Sequence, residues 1–201
     1  MKLGRPLRLH NAEHANAGLM RTDRRSGGGD VWRAERLGTA VRLAVGAATG
    51  SPEFNVAAFA LLLNFAWEIL QAPLYVGMAD MPHAQVTKAC LQATFGDMVI
   101  MLLAYGAVAA VARSRRWIVA ASGWQLAWFV AIGVAITAGI ELLATRGYWV
   151  QSWNYLPTTP LVPGTGIGLA PLLQWVVLPL LTVWFVRRQL ACDSRSGRGV
   201  T

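Results

Sequence analysis

The sequence predicts an all-α integral membrane protein, a bundle of four spans behind a basic N-terminal extension. Three observations carry that expectation. Of the 201 residues, 55% are hydrophobic and only 14% charged, against roughly 25% charged in a soluble domain. The charge is segregated, because residues 1–53 hold nine of the eighteen Lys and Arg. The remainder is long apolar runs broken by short loops, and the mean hydropathy of the chain is +0.41.

Residues 1–53 read as a polar, basic arm, mostly disordered, because stretches such as RTDRRSGGGD offer little apolar surface to bury. Residues 1–30 contain no continuous apolar run, so no cleavable signal peptide is visible, and Met20 is a second candidate start. Gly38–Gly50 is too short and too polar to span and reads as an interfacial helix with Arg42 toward water. Four runs qualify as spans: Phe54–Met78, Cys90–Ala112, Trp117–Thr145 and Gly166–Val186. Each has ~20 residues or more, enough for ~30 Å of hydrocarbon. The third is longest, so it tilts or begins nearer Trp124. The transmembrane domain is thus 54–188, and 189–201 form a tail.

Charge bias sets the orientation. The arm, the loop with Arg113, Arg115 and Arg116, and the tail with Arg187, Arg188, Arg195 and Arg198 hold sixteen Lys and Arg. The other two loops hold only Lys88 and Arg146. Both termini are therefore expected in the cytoplasm of a bacterial cell, with the chain in its inner membrane. The same distribution explains the net charge of +8 without nucleic acid, which would want a basic face interleaved with aromatics. Trp117 and Trp149 fall near expected interfaces. Cys90 and Cys192 fall on opposite sides and imply no disulfide.

Three carboxylates interrupt the spans: Glu68, Asp97 and Glu141. An ionised carboxylate in hydrocarbon costs at least ~2.5 kcal/mol. Counted from the expected outer ends, Glu68 lies about 15 Å deep, Asp97 about 10 Å, Glu141 about 6 Å and Gln174 about 12 Å. All four fall on the outer side. Helical phase groups them further. Asn64, Glu68, Gln71 and Tyr75 share one stripe; Cys90, Thr94, Asp97, Met101 and Tyr105 share another; Thr137, Glu141 and Thr145 share a third. These stripes must avoid lipid, so they are expected to face one another. Pro73 would free the carbonyl of Ile69 beside Glu68, and Pro179 that of Trp175.

The loop from Arg146 to Thr165 carries Tyr148, Trp149, Trp153 and Tyr155 and then three prolines. Such aromatic density caps the mouth of the bundle or lies on the headgroups, and long loops are often functional. The glycines of GTGIG, Gly164 to Gly168, read as a flexible start to the last span rather than an anion site.

Clustered carboxyls cannot all carry charge, and a carboxyl that keeps its proton is what proton transfer needs. Glu68, Asp97 and Glu141 are accordingly the candidate catalytic residues. Asn64, Trp67, Gln71, Trp153, Tyr155, Gln174 and Trp175 are the candidate substrate-binding residues. The structural alternative is interhelical hydrogen-bond glue. A metal bound by the three carboxylates with His83 is a further alternative, but the spans hold no close-spaced ligand motif, so no metal is assigned. His10, Glu13 and His14 have ligand-like spacing by chance, in the arm.

The motifs NFAWEILQAPLY, FGD, Glu141 and WNYLPTTPLVPGTGIGLAPLLQW together resemble a family of uncharacterised bacterial multi-pass membrane proteins over residues 54–188. The later stretch is also similar to carotenoid-modifying membrane proteins of the lycopene cyclase and hydratase type, without their paired-acid motifs. That second resemblance implies acid chemistry on a polyene from buried carboxyls.

Three functions fit. The first is a membrane-embedded enzyme acting on a lipid or isoprenoid, with Trp67, Trp153 and Trp175 shaping an apolar pocket. The second is a small proton- or cation-coupled transporter, which as a four-helix monomer would need to form homo-oligomers. The third is a non-catalytic assembly protein whose polar stripes bind a partner helix. Membrane lipids are partners in all three, and no cofactor is indicated.

Overall fold

The computed structural model describes residues 26–149 and 152–196. The chain divides between Gly46 and Ala47 into two units. The first holds most of helix α1 (Ser26–Thr49), which includes nearly all of the Gly38–Gly50 stretch expected as a helix. Trp32, Leu37, Val41, Leu43 and Val45 are exposed on it. The rest of the arm, with His10, Glu13 and His14, lies outside the described residues.

The second unit is the membrane bundle. It comprises α2 (Pro52–Gln71), α3 (His83–Ala112), α4 (Gly123–Thr145) and α5 (Leu169–Ser196). All four are long and apolar enough to cross a membrane. α2 packs on α3 and α5, and α4 packs on the same two, which closes a four-membered ring. Leu62, Leu70, Leu103, Val111 and Trp128 stay exposed on its outside. In water such a surface would aggregate, whereas in a bilayer it is the lipid face.

Helix ends explain where the expected boundaries moved. α2 starts at Ser51, whose Oγ accepts from the Phe54 N–H with Pro52 in the first turn. It stops at Gln71 rather than Met78, because Pro73 begins a 3₁₀ turn over Ala72–Leu74. Pro73 thus ends the helix where a kink was expected. α3 starts at His83, seven residues before the expected Cys90. The Cys90 Sγ lies 3.7 Å from the Glu68 carbonyl oxygen, so the first turns of α3 extend past the end of α2. α4 begins at Gly123, behind a 3₁₀ turn over Trp117–Ala120. Gln125 Oε1 accepts from both the N–H and the Oγ of Ser122 there. α5 runs past Val186 and keeps Pro179 inside it.

The bundle has two unlike ends. At the arginine end, Arg115 Nε donates to Glu53 Oε1 at 2.7 Å, and the Tyr105 hydroxyl bonds both that carboxylate and the Arg115 carbonyl. Arg187 donates to the carbonyls of Ile118 and Ala121 at 2.9 and 3.1 Å, pinning α5 to the turn before α4. Trp117 is buried there, stacked on Tyr105 and edge-on to Phe129. This half holds the apolar core, which includes Val56, Ala60, Val108, Val183 and Val186. The polar residues gather at the opposite, loop end.

Candidate functional site

The expected stripes do face one another. Asn64, Glu68 and Gln71 are buried on α2, and Thr137 and Glu141 on α4. Asp97 is half-buried on α3, and Gln174 is buried on α5. With α2 ending at Gln71, Glu68 is only about 5 Å from its helix end instead of the expected 15 Å. Glu141 keeps its depth of about 6 Å, and Gln174 rises to about 8 Å.

The side chains form two clusters. In the first, Gln174 is the hub. Its Nε2 donates to Asn64 Oδ1 at 2.8 Å, to Asp97 Oδ2 at 2.8 Å and to Glu68 Oε1 at 3.3 Å. Gln71 Nε2 donates to the same Glu68 oxygen at 2.7 Å, and Trp67 Nε1 donates to Gln71 Oε1 at 3.1 Å. Glu68 and Asp97 accept from the same Gln174 amide, which brings the two carboxyls together. Three helices thus converge on one carboxyl pair. Among the described residues, no Lys or Arg forms an ion pair with it.

In the second cluster, Glu141 Oε2 accepts from the Tyr155 hydroxyl at 2.7 Å and from the Gly168 N–H at 3.4 Å. Tyr155 also reaches the Tyr75 hydroxyl at 3.5 Å. The Tyr75 and Tyr155 ring centroids lie 4.9 Å apart, which ties the end of α2 to the second cluster. Trp153 meets Tyr75 edge-on, and its indole N–H is near Glu141 but closes no hydrogen bond.

The aromatic loop is folded into a cap. Val76 N–H donates to the Asn154 carbonyl at 2.9 Å, and Leu156 N–H to the Leu74 carbonyl at 3.0 Å. Tyr75 and Tyr155 therefore pair as in an antiparallel ladder. Thr159 Oγ1 adds a third tie to Leu74. Leu161 then pairs with Gly168 across a turn in which Gly164 and Gly166 take φ of 73° and 78°, a region that favours glycine. The group met by this glycine-rich segment is the chain's own Glu141 carboxyl, through the Gly168 N–H.

Burial raises the phenols of Tyr75 and Tyr155 above their ordinary range, with the neighbouring acids adding to it. Both stay neutral donors near neutral pH. Replacing Tyr155 by Phe removes one hydrogen bond to a carboxyl, worth about 1–2 kcal/mol. It should speed hydrogen exchange in the cap over 154–168 and leave α2 and α3 protected. A raised phenol contributes fully below the unfolded pKa of about 10 and loses its contribution as pH rises beyond it. The difference between wild type and Tyr155→Phe should therefore vanish only in strong alkali.

Trp175, expected to line a pocket, is packed in the core against Gly133. Among the described residues, no group of three His, Cys, Asp or Glu can hold a metal ion, so His83 does not join the carboxylates in a metal site. The part Tyr75 plays was only half visible: it continues the stripe of α2 but lies past the helix end, held by a loop eighty residues away. No family model matches the chain, and neither curated proteins nor solved structures give a significant match.

Proposed function

We propose that this protein is a membrane-embedded enzyme using the Glu68–Asp97 pair for acid–base chemistry on a lipid or isoprenoid. The observation that carries the reading is that pair: two carboxyls bridged by one amide and, among the described residues, free of any Lys or Arg ion pair, which in this reading share a proton. A purely structural contact needs only one acid and one amide. Two adjacent acids bridged by Gln174, one of them also held by Gln71, supply one proton donor and one acceptor. Glu141 and Tyr155 then hold the cap that the substrate must pass, and Trp67 and Trp153 supply apolar contact. The similarity to carotenoid-modifying proteins points to the same substrate class. The arginine end would lie in the cytoplasm of a bacterial cell, with the cap on the far side of the inner membrane. A proton-coupled carrier would use the same acids, but among the described residues the apolar core toward the arginine end buries no charged group to carry it.

Native mass spectrometry and lipid extraction of the purified protein test this. Wild type should retain a lipid or polyisoprenoid that Glu68→Gln retains unconverted and Trp153→Ala loses. Proton flux into liposomes with no retained ligand would replace the enzyme by the carrier.

A further inference from the structure

A groove of about 610 Å³ at the arginine end takes no part in the carboxyl clusters. Its volume lies within the ~300–1,000 Å³ usual for ligand sites. One wall is α3, through Leu102, Gly106, Ala109 and Ala110. A Cβ added to Gly106 would meet nothing within 4 Å, so the wall is open there. At the head of the groove α3 closes on Arg113, in the left-handed conformation with φ 49°. That turn gathers Arg113, Ser114, Arg115 and Arg116 at the helix end. Arg115 is held by Glu53. The exposed side chains of Arg113 and Arg116 form no ion pair among the described residues.

We propose that this groove binds one anionic phospholipid of the adjoining leaflet. Arg113 and Ser114 hold its phosphate, and an acyl chain lies along Gly106, Ala109 and Ala110. Charge selects the occupant. Arg113 and Arg115 line the groove against one glutamate, so the rim is positive and attracts an anionic headgroup. A second copy of the chain would bring the same arginines against themselves. A zwitterionic lipid carries its own cation toward them. The wall below is apolar and at hydrocarbon level, so a soluble anion would leave it uncovered. The inference is independent of the enzyme reading, because the groove and the carboxyls lie at opposite ends of the bundle.

Native mass spectrometry of the full chain with added phosphatidylglycerol or phosphatidylcholine tests it. Wild type should hold phosphatidylglycerol in preference. Arg113→Asn should reduce that occupancy by roughly fivefold or more, the scale of one lost charge-assisted contact. Asn also suits the left-handed backbone, so folding is spared. Gly106→Leu should reduce it similarly by filling the groove. Arg188→Gln should not, because Arg188 stacks on Trp184 away from the groove. Equal retention of both lipids, or full retention in Gly106→Leu with an unchanged melting temperature, would overturn the proposal. So would a dimer that forms in wild type and is lost in Gly106→Leu.

Discussion

Gly133→Ala should destabilise the bundle by about 2 kcal/mol or more, although alanine is the better helix former. Gly133 faces α5, and a Cβ built on it falls 2.1 Å from Cε3 and 2.5 Å from Cζ3 of the six-membered ring of Trp175. That indole is 1% exposed and belongs to the apolar core. The ring cannot bend, so α4 and α5 must separate or Trp175 must leave its rotamer. Overpacking of this kind costs about 1–3 kcal/mol, and more when the backbone has to move. Against it stands a helix-propensity gain of about 1 kcal/mol. The clash wins because no flexible side chain can absorb it. Small residues at helix contacts in bilayers serve this close approach. Gly139 is the control, since it is exposed and its added Cβ meets nothing within 4 Å. Gly139→Ala should be neutral or gain up to about 1 kcal/mol. Reversible unfolding in mixed detergent reads both. Trp175→Leu should make Gly133→Ala harmless, because the indole N–H has no hydrogen-bond partner to lose. A Gly133→Ala protein as stable as wild type would mean that the two helices are further apart than described.

The same contact shows what a sequence can and cannot carry. Phe129, Gly133, Thr137 and Glu141 are buried at steps of four, so periodicity alone identifies the inward face of α4. The four spans and the polar stripes were legible for the same reason: each rests on spacing within one segment. What Trp175 touches is a matter between segments. Beside Gln174 it reads as pocket lining, yet it fills the gap left by Gly133 across the bundle. Tyr75 and Tyr155 meet through loop backbone pairing that no helical period encodes. Span ends were misplaced where a local stop outranked hydropathy. Val76 and Met78 are apolar enough to extend α2, but Pro73 ends it. That single stop moves Glu68 about two turns closer to the cap than hydropathy suggested.

Gln174→Leu should cost about 2–3 kcal/mol and scatter the carboxyl site. The substitution keeps the volume and removes only the amide, so the loss is one of hydrogen bonds. The amide nitrogen has two hydrogens and faces three acceptors, on Asn64, Asp97 and Glu68. Interhelical hydrogen bonds in a bilayer average only ~0.6 kcal/mol and reach ~1.7. At that average, two bonds at 2.8 Å account for about 1 kcal/mol of the expected loss. The rest comes from acceptors left behind, because a buried polar group without a partner costs more than the bond it made. Asn64 bears most of that, since its Oδ1 is 0% exposed with the rest of the residue. This asymmetry gives the deciding measurement. If stranding contributes, Asn64→Leu combined with Gln174→Leu should be less destabilising than the sum of the two single changes. Strict additivity would mean that the amide is ordinary glue. Asp97, losing the donor that fixes it against Glu68, would then still find a partner, and the carboxyl pair would not depend on α5. If the cycle instead shows coupling, the position of both acids is set by one neutral side chain on the facing helix. An acid–base pair needs such a device, since a Lys or Arg in its place would hold the carboxyls ionised and remove the shared proton.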